Sequence, residues 1–144
     1  MGMPAYVISL ARTPERMQKF AAENEGLVDY QVSEGVDGAQ LDLDQLRAEG
    51  VLDPGLTTRA GTIGLLFSHM NLRRKAVDEA QIITIFEDDA LLHRNFAALS
   101  DELITTCGEF DWILWGLNLD SVLSAEILPR LGPCNLSLDT PFDH

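Results

Sequence analysis

The chain has 144 residues, 46% of them hydrophobic and 23% charged, a length at which one domain buries roughly 70% of the surface its unfolded form exposes. That composition excludes collagen-like, low-complexity and wholly disordered classes. Ten basic residues against 23 acidic ones give a net charge of −13, which argues against broad contact with nucleic acid or anionic lipid.

No apolar run reaches the ~18 to 20 residues that span a bilayer, and no basic segment leads into an apolar stretch and cleavage site at the N-terminus. No transmembrane segment and a cytoplasmic location are therefore expected. Cys107 and Cys134 lack metal-ligand and redox-pair spacing, so both read as reduced thiols. The basic residues Arg12, Arg16, Lys19, Arg47, Arg59, Arg73, Arg74 and Lys75 precede residue 80, leaving Arg94 and Arg130 beyond it. A local anion site in the first half is compatible with this bias, although such residues are usually solvated helix faces.

Residues 4–10 form an apolar, β-rich run and read as a strand. Thr13 then suits a helix cap and Pro14 a first helical position, with Met17, Phe20 and Ala21 at helical spacing until Asn24 and Gly26. Residues 27–33 read as a second strand ended by a turn at 35–38, and 43–49 as a short helix before a loop at 53–55. From Thr62 to Ala80, Ile63, Leu66, Phe67, Met70 and Val77 keep a helical period. Residues 82–86 read as a strand buried on both faces, as in the middle of a parallel sheet, and end in Glu87-Asp88-Asp89. A helix through Phe96, Leu99, Leu103 and Ile104 and a strand over 112–117 follow. Alternating strands and helices predict an open α/β sheet with helices on both faces. Residues 1–128 make up that domain, and 129–144, with Pro129, Gly132, Pro133 and Pro141, read as an irregular tail or truncated continuation.

Three consecutive carboxylates need a positive partner, because two unit charges about 4 Å apart repel by roughly 4 kcal/mol at an effective dielectric near 20. Ligands of open α/β sheets bind outside the carboxyl ends of the strands, where Glu87, Asp88 and Asp89 fall. A hard divalent cation, Mn²⁺ or Mg²⁺, would neutralise both these acids and a nucleotide's phosphates. The alternative is an acidic loop at the N-terminus of the next helix. Arg12 and Arg16 flank the first turn of the first helix and suit a phosphate through their bidentate forks, or else Arg16 pairs with a neighbouring acid. Gly64 and Ser68 share a helix face and allow close packing or approach to a ligand. His69 either meets a substrate or is structural, while His93 and His144 have no ligand-type partner nearby.

Taken in order, Tyr6-Val7-Ile8-Ser9-Leu10 with Arg12 and Arg16, Gly35-Val36-Asp37-Gly38, Gly61-Thr62-Ile63-Gly64-Leu65-Leu66-Phe67-Ser68-His69 and Ile85-Phe86-Glu87-Asp88-Asp89 resemble the glycosyltransferases of family 25. These include bacterial lipooligosaccharide galactosyltransferases and collagen galactosyltransferases. The resemblance runs from about Ala5 to Asn118 and implies a GT-A-like, Rossmann-like nucleotide-sugar-binding fold. It further implies a UDP-sugar donor, often UDP-galactose, a glycan or lipid-linked glycan acceptor, and a divalent metal on an acidic motif. Asp89 then corresponds to the direct metal ligand, Glu87 to the ribose side with a share in the metal site, and Asp88 to their support. Arg12, Arg16, Gly64, Ser68 and His69 fall on the donor side.

The implied reaction is inverting transfer in lipopolysaccharide or lipooligosaccharide synthesis, placing the enzyme in the cytoplasm or peripherally at the inner membrane face. Family members usually continue further, so the acceptor-binding part and general base are expected beyond these residues. Asp111 and Asp120 are weak candidates for the base. Phe86 stands where an aliphatic residue is common. A catalytically incomplete nucleotide-sugar-binding domain is the competing expectation, and a receiver-like phosphoacceptor domain ranks last because no lysine follows Lys75.

Overall fold

A computed structural model describes residues 3–107, 110–116, 123–125 and 134–136. The chain divides into two compact units, Met1–Leu103 and Ile104–His144.

In the first unit, strand β1 (Ala5–Ser9) is buried at all five residues. It lies between β2 (Gln31–Glu34) and β3 (Thr84–Glu87), parallel to both, with Val7 opposite Val32 on one side and Phe86 on the other. Side-chain alternation gives the sheet two apolar faces. Ala5 and Val7 pack with Phe20 of helix α1 (Pro14–Glu23) and with Phe86, while Tyr6 and Ile8 pack with Leu72 of helix α3 (Ala60–Asp78). A short helix α2 (Leu43–Ala48) precedes α3, and α4 (Phe96–Cys107) follows β3. Phe86 sits between Phe20 and Phe96, its ring centroid 6.2 Å from the first and 5.3 Å from the second. It therefore serves packing, as its difference from the aliphatic pattern implied.

Parallel crossovers share one hand. The connection from β1 to β2 runs one way across the sheet, and that from β2 to β3 returns the other way, so α1 and α3 fall on opposite faces. The strand order therefore reverses beside β1, the position at whose carboxyl end open α/β sheets take their ligands.

Several expectations need correction. Among the described residues β1 is the central strand of the sheet and β3 an outer one; Ile82, expected inside the strand, precedes it and is exposed. Residues 27–30 precede β2, although Val28 and Tyr30 pack against the core. Thr13 occupies the cap position of α1, but its hydroxyl donates to the Leu10 carbonyl at 3.4 Å and makes no cap bond. The described part of the run at 112–117, residues 112–116, forms no strand; a short apolar run does not by itself determine secondary structure. In the second unit, β4 (Leu123–Ala125) and β5 (Cys134–Leu136) pair antiparallel, and β5 falls within 129–144, where the sequence reading has no regular element.

The loop after β2 is fused to α3 by close backbone approach. A Cβ on Gly38 would sit 1.8 Å from the Ala60 carbonyl oxygen, and one on Gly64 2.3 Å from that of Val36. Ser68 completes the joint: its Oγ accepts from the Val36 N–H at 2.8 Å and donates to the Gly64 carbonyl at 2.8 Å. Gly64→Ala should therefore lower unfolding stability in urea by about 2–3 kcal/mol through overpacking. Gly61, whose Cβ position meets no atom within 4 Å, should accept alanine with no loss, or with a gain of up to about 1 kcal/mol.

Candidate functional site

The acidic triplet fans out because strand pleating sends successive side chains to opposite faces. Asp88 follows Phe86 towards the α1 side and is buried, with Oδ2 accepting from Ser9 Oγ at 2.8 Å. Its Oδ1 accepts from Arg16 Nε at 2.7 Å and lies 2.6 Å from Arg16 Nη2. Asp89, with a side chain 66% exposed, meets the same Nη2 through Oδ2 at 2.9 Å. Glu87 lies on the α3 side, where its Oε1 is 3.3 Å from His69 Nε2. The positive partner demanded by three adjacent acids is thus supplied in part by Arg16. Burial lowers the Arg16 pKa, but the bonds to and charges of Asp88, then those of Asp89, outweigh it and raise the pKa above the ordinary guanidinium value. Arg16 is therefore a permanent charge.

Arg12 leaves the β1–α1 turn in the other direction, its Nε 2.9 Å from Asp37 Oδ2 after β2. The Oδ1 of Asp37 accepts the Ala39 N–H at 3.0 Å and so caps the 3₁₀ turn Gly38–Gln40. Both arginines lie at the carboxyl end of the sheet, as their position after β1 predicts. Asn24, which in the sequence served only to end a helix, fixes the segment after the acidic turn. Its buried side-chain amide donates to the Phe20 and Ala90 carbonyls at 2.9 and 3.0 Å, and its oxygen accepts the Leu92 N–H at 2.8 Å.

Gly64 and Ser68 are joined to the 36–38 loop, Gly64 by close backbone approach and Ser68 by the Val36 N–H. His69 lies beside Glu87, and His93 Nδ1 accepts the Asn95 N–H at 3.2 Å. Asp111 is exposed and belongs to the second unit, while Asp120 lies outside the described residues. Asp37 as the partner of Arg12, and Ser9 as the partner of Asp88, escaped the sequence reading. The available signal was an acid after each of the two strands that flank β1, whose end the arginines follow.

Among the described residues no three His, Cys, Asp or Glu side chains gather into a metal cage, and both oxygens of Asp88 are committed to Ser9 and Arg16. Asp89 and Glu87 remain as hard oxygen donors. That set fits an ion of the Mg²⁺ type, which takes one or two carboxylates and completes its shell with phosphate oxygens and water.

Acids and arginines at the carboxyl ends of parallel strands, beside the reversal of strand order, define a Rossmann-like α/β ligand-binding domain. Residues 3–121 match glycosyltransferase family 25 (LPS biosynthesis protein), and the chain belongs to that family. Comparison with curated proteins gives no match. Family membership makes the protein a glycosyltransferase of lipopolysaccharide biosynthesis, with a sugar donor and an acceptor as substrates. Among the described residues no helix is long and apolar enough to cross a membrane.

Removing the arginine should leave Asp88 buried without its cation. Arg16→Ala is expected to cost about 1–3 kcal/mol of stability, discounted for the half-exposed guanidinium, and Asp89→Ala less than about 1 kcal/mol. Urea unfolding of the two variants against the parent measures the contrast.

Proposed function

We propose that the protein transfers a hexosyl group, galactose foremost, from a UDP-sugar to a hydroxyl of a glycan or lipid-linked glycan, with the donor at the carboxyl ends of β1 and β3 in a GT-A-like domain. The supporting observation is the Arg16 guanidinium bridging buried Asp88 and exposed Asp89 where the strand order reverses. The acceptor oxygen attacks the anomeric carbon as the bond to the diphosphate oxygen breaks, with inversion, and the hydroxyl proton passes to a base. Asp111 and Asp120 are the acids to test in that role. Charge builds on the departing diphosphate, where Arg12 and Arg16 supply bidentate donors. Asp89, with Glu87, would hold Mn²⁺ or Mg²⁺, which supplies further neutralisation of that charge. A lipid-linked acceptor would bring this cytoplasmic enzyme to the inner membrane face.

Calorimetric titration of UDP into the protein tests the donor and the metal together. UDP should bind with Mn²⁺ present and lose about tenfold or more in affinity with EDTA or in Asp89→Ala. Equal affinity with and without the cation would overturn metal dependence. A preference for GDP or CMP over UDP in a parallel thermal-shift series would overturn the donor assignment.

A further inference from the structure

The two arginines are held in the same way on opposite sides of β1. Arg12 is gripped at Nε by Asp37 and Arg16 at Nε by Asp88. In each case the aspartate spends its other oxygen on the framework: Asp37 on the Ala39 N–H and Asp88 on the Ser9 hydroxyl. Each carboxylate is thus oriented by a bond of its own before it orients an arginine. The two aspartates follow β2 and β3, the strands flanking β1, and the arginines lie in the turn and the first helical turn that follow β1. Meanwhile the arginine side chains remain 57% and 47% exposed, so neither fork is sealed into the protein by its acid. An ion pair made only for stability gains little at such exposure. A guanidinium gripped by one edge keeps its other N–H groups for an incoming anion at a lower entropic cost of ordering.

We propose that Asp37 and Asp88 are positioning residues which hold Arg12 and Arg16 as a two-armed receptor for the diphosphate of the sugar donor, and that Asp88 itself touches neither donor nor metal. The proposal rests on the donor site argued above. It assigns the middle acid of the triplet a role different from that of its neighbours, and it brings in Asp37, which lies outside the triplet.

The test is calorimetry with UDP, uridine and inorganic pyrophosphate as separate probes, each with Mn²⁺ present. Asp37→Asn and Asp88→Asn should each weaken UDP about tenfold or more while leaving uridine affinity unchanged; a merely structural lesion would lower both. The double variants Asp37→Asn/Arg12→Ala and Asp88→Asn/Arg16→Ala should be no weaker than the corresponding arginine variants alone, because each aspartate acts through its arginine. Additive losses, or aspartate variants that bind UDP as the parent does, would overturn the proposal. If Asp88→Asn unfolds, Asp37→Asn in its surface loop decides the matter by the same criteria. A parent protein that binds pyrophosphate with this variant dependence but not UDP keeps the receptor and removes the nucleotide reading. One that binds UDP with no response to the aspartate variants keeps the donor site and removes the receptor.

Discussion

The carboxylate of Asp88 is the charge around which the first unit is arranged. A buried carboxylate costs several kcal/mol unless it is paired and hydrogen-bonded, and both requirements are met by residues more than seventy positions away, Ser9 and Arg16. The Ser9 bond ties the ends of β1 and β3 together beyond their backbone ladder. Arg16 ties the first turn of α1 to the same point, while Asn24 ties the end of α1 to Ala90 and Leu92. Helix α1 is therefore pinned at both ends to the segment that follows β3, with Met17 and Phe20 packed against the sheet between them. The acidic turn is held by the helix from which Arg16 reaches it.

Strand pleating decides which acid does what. Glu87 and Asp88 leave β3 on opposite faces, so their repulsion is far smaller than for two acids on one face, and each faces a different helix. Asp88 meets Arg16 of α1, Glu87 meets His69 of α3, and Asp89 at the tip is left largely to solvent. The α3 side is fixed by means other than charge. Gly38 and Gly64 let backbones touch, and Ser68 accepts the Val36 N–H while returning its own proton to the Gly64 carbonyl. His69, one residue on, inherits its position from that joint.

Much of this frame is legible in the sequence because its signals are local. The buried run at residues 5–9 and Pro14 at the helix start depend on neighbours a few positions away; the period through Leu66, Met70 and Val77 gives the helix α3 but marks an exposed face, since the buried one runs through Ile63, Ser68 and Leu72. Extending the alternation of β3 by two residues also separates Glu87 from Asp88. The identity of the cation opposite Asp88 is not local: it depends on the order of the strands, which brings residue 16 to residue 88. For the same reason Ile82–Phe86 read as a central strand, whereas among the described strands β1 is central and β3 is outermost on its side. Trp112–Gly116 has the composition of a strand, but composition names no partner for its backbone. Gly64 and Ser68 were legible as neighbours on one face, while the surface they meet, the loop after β2, was not.

Charge bookkeeping at the site sets what an anionic donor meets there. The long-range field of a chain at −13 opposes a diphosphate, but physiological salt screens beyond about 8 Å, so the groups at the site decide the outcome. Asp37, Glu87, Asp88 and Asp89 stand against Arg12 and Arg16. Counted over these carboxylates and guanidiniums, the acids exceed the arginines by two. The arginines offer geometry, two planar forks held by their acids, but not enough charge to make a diphosphate welcome. In the proposed function a divalent cation would carry two positive charges to the site, with the exposed carboxylate of Asp89 as a hard oxygen donor. On that proposal, direction supplied by anchored arginines and charge supplied by a cation would be separate tasks, matched to one acid of the triplet buried with an arginine and a neighbour in solvent.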